Sequence, residues 1–355
     1  MKKRKISIKD VAEAAGVSRA AVSLVLNDGN IRIGKEKRQR IIDVAKEMGY
    51  TPHVGARRLA LRKMETLGLV FVDKPNALNE QYLFGLTHAV ALEARRHGYD
   101  IHLRFLEALD GDRAPITPGL VDGSLIVAGK TTPPSFFEHF ERVSHPHVVI
   151  GGGFMNPKPP DFVDVDVATG MMIATRHLVQ LGHRRIAYVS ASSNEDKLNG
   201  YIIGLTKARI PIQRPLILEG RKTDRDLDDT VESLLTMAER PTGVVCTSDW
   251  LAIRLMRSLR EAGVAIPRDL SITGFDNADL ADWVSPALTT VKVPGERIAQ
   301  LAVRQVVRMI DGPVDTRLQS LLPAELVIRD STMAPPETGG GQGGLSLTGR
   351  AAAQG

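Results

Sequence analysis

Arg19, Ala20, Ser23, Leu24 and Asn27 recur at the spacing of one helical face, and they offer a guanidinium, a hydroxyl, an amide and two apolar tips. A major groove could receive such a face, so the chemistry is recognition of base edges rather than bond making. The charge around them is segregated. Residues 1 to 63 hold 16 Lys and Arg against 6 Asp and Glu, net +10; the rest of the chain holds 30 against 35, net −5, within a total of +5. A small basic head on a mildly acidic body suits contact with a polyanion, and nucleic acid is the default polyanion.

Bond-making chemistry has no comparable constellation. The chain has no GxxxxGK[ST] phosphate loop, no HExxH and no GxSxG elbow. Gly151, Gly152 and Gly153 follow a strand-like run but lack the rest of a dinucleotide fingerprint and run into Phe154 and Pro157. Asp164, Asp166 and Gly170 faintly suggest a calcium loop, without its ordered ligands or terminal Glu. The single cysteine, Cys246, rules out an internal disulfide and a multi-cysteine zinc site, and it reads as a buried inert thiol. No enzyme, metal or cofactor is expected.

The elements that must position the recognition face can be read from capping and periodicity. Ser7 followed by Asp10 resembles a capping box, and Ile8, Val11, Ala12 and Ala15 then define a first helix from about Ile8 to Ala15. Gly16 supplies the turn, Val17 plugs the corner, and Ser18 can cap a second helix with Val22, Val25 and Leu26 inward. Gly34 opens a third helix through Met48, which closes a mini-core with Ile41, Val44 and Ala45. Two short helices about a Gly-Val turn form a helix-turn-helix.

DVAEAAGVSRAAVSLVLN followed by GYTPHVGARRLA resembles the amino-terminal head of the lac repressor (LacI/GalR) family of bacterial transcription regulators. The likeness continues through LVQLGHRRIAYVS (179–190), GYIIGL (200–205), SDWLAIRLM (248–256), GVAIPRDLSITGFDN (263–277) and SPALTTVKVP (285–294), nearly the whole chain except the tail. It implies that Arg19, Ala20 and Leu24 choose bases, and that Ser7, Ser18, Ser23, Asn27, Lys37 and Arg38 position phosphates. Ala21 departs from a frequent threonine, and Gly34 and Lys37 stand where Ser and Thr commonly begin the third helix. Pro52 to Leu61 matches the hinge helix, with Leu59 as the wedge at the operator centre and Ala56 beside it. Alone this run falls short of the ~12 to 15 residues at which a free helix is marginal, so its folding is expected only in pairs on DNA.

Further on, strand-like runs at 67–72, 100–105, 124–128 and 147–151, with a helix near Gln81 to His97, are followed by a second set at 185–190, 215–218, 243–248 and 270–275. Two rounds of βαβ imply two similar parallel-sheet lobes, with ligands at the carboxyl ends of strands and a pocket in the cleft between lobes. The expected fold is therefore α/β with an all-α head: a helix-turn-helix three-helix domain (1–50), a hinge helix and linker (51–63), and two lobes of periplasmic-binding-protein type (64–330). After Arg329 periodicity is lost, and residues 331–355 read as a disordered tail.

The family resemblance implies a small-molecule effector, first a sugar or sugar derivative. Asp276 just past a strand end can accept two hydroxyl donors. Lys197 replaces an arginine and loses its planar fork, Ser248 replaces an asparagine and Gly151 an aspartate. Trp250 is placed to stack on a sugar face, Tyr82 to wall the pocket, and Asp249 reads as structural. The partners expected are a double-stranded DNA operator, this effector, and a second copy of the chain as homodimer. No run reaches the ~18 apolar residues of a membrane helix, and MKKRKIS is followed by no apolar segment, so a cytoplasmic location without export is expected. A repressor released by effector is the favoured reading. A corepressor-dependent repressor or activator of the same family stays open, as does a sugar-binding protein of cytosolic or periplasmic type.

Overall fold

Ser7 caps the first helix. In the computed structural model, which describes residues 6–26, 32–50, 63–73, 81–106, 119–129, 132–153, 155–192 and 195–336, its backbone N–H donates to Asp10 Oδ2 at 2.8 Å and its Oγ accepts from the Asp10 N–H. This capping box opens α1 (Ile8–Ala15), which Gly16 ends at φ +69°. Ser18 Oγ accepts from the Ala21 N–H at 3.1 Å and so caps α2 (Arg19–Leu26). The third helix, α3 (Lys35–Glu47), has Gly34 at its N-cap and therefore no side-chain cap, though Glu36 in the first turn and Lys46 in the last favour its dipole. Val11, Ala12, Ala15, Val22, Val25, Ile41 and Ala45 form the buried core of this bundle, with Val17, Leu26, Val44 and Met48 packed against it.

Two six-stranded sheets follow. The first runs β11-β5-β4-β3-β1-β2, from β1 (Thr66–Val72), β2 (Asp100–Leu106), β3 (Gly123–Val127), β4 (His147–Ile150), β5 (Phe162–Val165) and β11 (Gln319–Leu322). Every residue of β1 is buried, as a strand covered on both faces demands, and Leu69 lies in register with Leu103 and Leu125. The second sheet runs β12-β10-β9-β8-β6-β7, from β6 (Ile186–Val189), β7 (Ile217–Leu218), β8 (Gly243–Cys246), β9 (Ser271–Asp276), β10 (Thr289–Lys292) and β12 (Glu325–Val327). It is parallel except for the β10–β12 pair. The helices are α4 (Gln81–Arg96), α5 (Pro134–Arg142), α6 (Val167–Gln180), α7 (Glu195–Lys207), α8 (Asp224–Thr236), α9 (Asp249–Glu261), α10 (Leu280–Trp283) and α11 (Gly295–Asp311). The glycine of GYIIGL at 200 lets α7 meet α6 closely, since a Cβ there would lie 2.2 Å from the carbonyl of Ala168.

By packing, the chain divides into two compact units, one of residues 1–75, 90–161 and 301–318, the other of 76–89, 162–300 and 319–355. Both lobe sheets and the all-α head agree with the expected fold. Residues 215–218 prove to be a 3-10 turn (Arg214–Leu216) and the two-residue strand β7. Strands β5, β10, β11 and β12 lie outside the runs picked out by periodicity, being three or four residues long with polar members.

The disordered-tail reading of 331–355 needs correction at its start. Ser331 is fully buried, its Oγ donates to the Ile272 carbonyl at 2.6 Å and accepts from the Thr289 N–H at 2.9 Å. Thr332 bonds His177, and the Met333 carbonyl lies 2.9 Å from His183 Nε2. Hydrogen bonds to buried polar partners, rather than an apolar stripe, hold residues 331–333, so hydrophobic periodicity had nothing to report. Residues 337–355 lie outside the described residues. No described helix is long and apolar enough to cross a membrane.

Candidate nucleic-acid interface and effector cluster

Helix α2 is divided along its length. Val22 and Val25 are buried on one side, while Arg19, Ala20 and Leu24 are exposed on the other and Ser23 is half-exposed. A leucine 40% exposed on a short helix is an apolar tip available to a partner. Lys37 is exposed at the start of α3 and Arg38 half-exposed beside it. Ser18 spends a lone pair on its cap, a bond that does not use its hydroxyl proton. Ser7 differs, because its hydroxyl donates to Asp10 Oδ2 at 2.7 Å, and the expected donation to phosphate loses its proton. Asn27, Ala56 and Leu59 lie outside the described residues.

The second unit gathers several of the expected effector residues. Strand β9 ends on Asp276 at φ +114°, followed by Asn277 at φ +56°, a backbone that side-chain-bearing residues adopt at a cost. Burial, then the nearby Asp276 and Asp164 carboxylates, push the Tyr82 phenol above its ordinary range. Asp164, on the short strand β5, is near enough for its charge to act on Tyr82, a placement with no sequence signal beyond the faint calcium-loop pattern. Asp166 instead caps α6, accepting from the Thr169 N–H at 2.8 Å, and among the described residues no three His, Cys, Asp or Glu side chains cluster as a metal site.

Lys197 is drawn inward: its Nζ donates to the Thr247 carbonyl at 2.6 Å and lies 3.8 Å from the Phe275 ring centroid. Asp249, read as structural, is 1% exposed; it accepts from the Thr290 hydroxyl and, at 2.7 Å, from the Ala278 N–H. Burial pushes its carboxyl up to about 6, against the opposing pull of Thr290, Ala278, Lys197 and Arg329. Asp249 thus ties down the backbone two residues past Asp276, a positioning role with no local sequence signal.

The remaining expected residues are less central. Ser248 caps α9, accepting from the Leu251 N–H at 3.3 Å. Trp250 is 52% exposed, with one indole face taken by the Arg254 guanidinium at 4.0 Å, which in turn pairs with Asp224 and donates to the Lys222 carbonyl. Gly151 belongs to the other unit; at φ +93° a Cβ would meet the Ala128 carbonyl at 2.6 Å, so backbone geometry by itself demands glycine there. Cys246 is fully buried, and burial raises its thiol well above the ordinary range, as expected of an inert side chain.

The sequence pattern of the bacterial regulatory proteins of the lacI family matches residues 7–53, α1 to α3 and the turn beyond, and that of the periplasmic binding protein-like domain matches residues 175–332. The chain carries a lacI-family DNA-binding domain and a periplasmic-binding-protein-like domain. Among curated relatives, the probable transcriptional repressor ExuR of Bacillus subtilis is 28% identical over 331 residues, covering 92% of this chain and 98% of that one. Among solved structures, a complex of the transcriptional regulator CelR with cellobiose is 25% identical with a TM-score of 0.66, covering 92% of this chain and 100% of the other. The lac repressor dimer bound to operator and an anti-inducer has a TM-score of 0.78 at 22% identity over 93% and 100% of the two chains, a likeness of fold. With that DNA-binding domain and relatives that are transcriptional repressors along almost their whole length, the chain is a DNA-binding transcription regulator and not an enzyme.

Proposed function

We propose that this chain is a lacI-family regulator that acts as a homodimeric repressor on a near-palindromic operator in the cytoplasm, and that a sugar-class effector releases it. The observation that carries the reading is the division of α2, with Val22 and Val25 buried and Arg19, Ala20 and Leu24 exposed on the opposite face. Arg19 reads a guanine through a bidentate pair worth ~1–3 kcal/mol, and Ala20 and Leu24 contact thymine methyls. Ser18, Lys37 and Arg38, with Ser23 and Asn27, hold phosphates and set the register. Two such heads related by two-fold symmetry read the two half-sites. The domain plan is a reader of residues 1–50, a connection of 51–63, and an effector-binding core that runs past 330 to take in Ser331 to Met333.

The effector reading rests on Asp276, with Tyr82 and Asp164 within electrostatic range of each other, supplying acceptors for sugar hydroxyls. Cellobiose in the CelR complex and the repressor name of the Bacillus relative favour a sugar ligand and a repressing role. Operator-site selection with Arg19→Ala tests the reader: relaxed preference at one base pair per half-site is expected, and an unchanged preference overturns the assignment.

A further inference from the structure

The chain enters the first sheet through a fixed point. Residues 51–62 lie between Tyr50, the last described residue of the head, and Lys63. From there residues 63–66 are tied to α11, to β2 and to the segment before β3. Lys63 Nζ donates to Asp311 Oδ1 at 3.2 Å at the end of α11. The Met64 N–H donates to Asp122 Oδ1 at 2.8 Å just ahead of β3, and the Asp122 N–H donates in turn to the Thr66 carbonyl at 2.9 Å. The Glu65 carbonyl accepts from the Asp100 N–H at 2.9 Å where β2 begins, and Thr66 Oγ1 donates to the Met64 carbonyl at 3.0 Å.

Two features set this entry apart from ordinary surface pairing. Glu65 stands at φ +51°, a backbone that a side-chain-bearing residue keeps only where surrounding bonds impose it. Asp311 is the last residue of α11, where a carboxylate opposes the helix dipole, so the helix gains nothing from this charge and Lys63 offsets it. The hydrogen bond to Asp311 raises the Lys63 pKa above its ordinary value. With side chains 51% and 60% exposed, the pair adds little to stability. What it fixes is position. While Lys63 and Met64 are held, the connection to the head is residues 51–62; once both are released they join it and add about 7 Å of reach, or roughly two base-pair steps.

We propose that Asp122 and Asp311 are positioning residues for operator recognition: by clamping Met64 and Lys63 they fix the point from which each reading head is tethered, and so set the separation of half-sites that the protein accepts. The inference rests on the reading of the protein as a homodimer on a near-palindromic operator. Tethers held at Lys63 reject an operator whose half-sites are moved apart, whereas longer ones let both heads engage it.

The test uses the full chain, the operator recovered from site selection, and the same operator lengthened at its centre by the two base pairs that Lys63 and Met64 span. In gel-shift titrations the wild type should bind the lengthened site about 100-fold more weakly, as loss of simultaneous engagement implies. Asp122→Ala combined with Lys63→Asp should narrow that ratio to below about tenfold. Asp122→Asn, which keeps an acceptor for the Met64 N–H, should discriminate as the wild type does. Adding Asp311→Lys to the Asp122→Ala, Lys63→Asp protein recreates the ion pair with its charges exchanged and should restore the discrimination. Neither general destabilisation nor a lost contact between Lys63 and a phosphate would be repaired in this way. Equal discrimination by the wild type and the Asp122→Ala, Lys63→Asp protein, or no recovery on adding Asp311→Lys, overturns the clamp and leaves the operator reading in place. A wild type indifferent to spacing overturns that reading, and the clamp with it.

Discussion

The head and the second unit hold their sites by opposite means. In the head, one short helix presents Arg19, Ala20 and Leu24, and seven buried apolar side chains behind it do the holding. In the second unit, Tyr82, Asp164, Lys197 and Asp276 come from four separate stretches of chain, and polar bonds place Lys197 through Thr247 and the backbone after Asp276 through Asp249 and Thr290. The first arrangement fails by loss of apolar volume, the second by loss of a hydrogen-bond partner or a change of charge.

The largest expected effect is on the head. Ile41 is fully buried in a core too small to relax around a void, and Ile41→Ala should cost about 2–5 kcal/mol. Operator binding in a gel-shift titration should then collapse while the main thermal transition of the two sheets persists. Retained operator affinity would mean that the head does not depend on this core.

Next comes the buried carboxylate. Asp249 has its folded pKa raised to about 6, so between the ordinary aspartate range near 4 and about 6 the native state binds more protons than the unfolded one. Stability therefore falls as pH rises through that window and levels off above it, by roughly 3 kcal/mol at most. Chemical denaturation from pH 4 to 7 should show the decline in the wild type and a flattened profile in Asp249→Asn. An identical slope in both proteins breaks the contrast between an apolar head and a titrating second unit.

Asp276→Ala separates binding from folding in the second unit. Sugar-induced thermal stabilisation should be lost, equivalent to about 1.5–3 kcal/mol for a charged hydrogen bond, with operator affinity intact. Stabilisation that survives would remove Asp276 from the effector site. Ser18→Ala should cost least, about 1 kcal/mol of head stability, with Ser18→Gly losing only a few tenths. Equal losses in the two variants would show that the cap bond to Ala21 is not what Ser18 contributes.

The head was legible almost residue by residue. The start of α1 at Ile8, the turn at Gly16, the cap at Ser18 and the span of α3 all follow from neighbours in the chain, because capping and apolar spacing act over one turn. The eight β-branched runs likewise marked β1 to β4 in the first sheet and β6 to β9 in the second, the edge strands β2 and β7 among them. The short strands β5, β10, β11 and β12 and the strap at Ser331 to Met333 were not legible, since their partners are distant in sequence and several of their bonds are to polar groups.

The sequence by itself determined that there is a basic three-helix head with Arg19 outward and a two-sheet α/β body. Local helical geometry and the segregation of charge are enough for that. Only the tertiary structure decided that Ser7 spends its hydroxyl on a cap, that Lys197 turns to Thr247 and Phe275, and that Asp249 anchors the loop after Asp276. Each of these depends on which polar atom meets which across the fold, and hydrogen-bond partners separated by tens of residues leave no periodic trace in the chain.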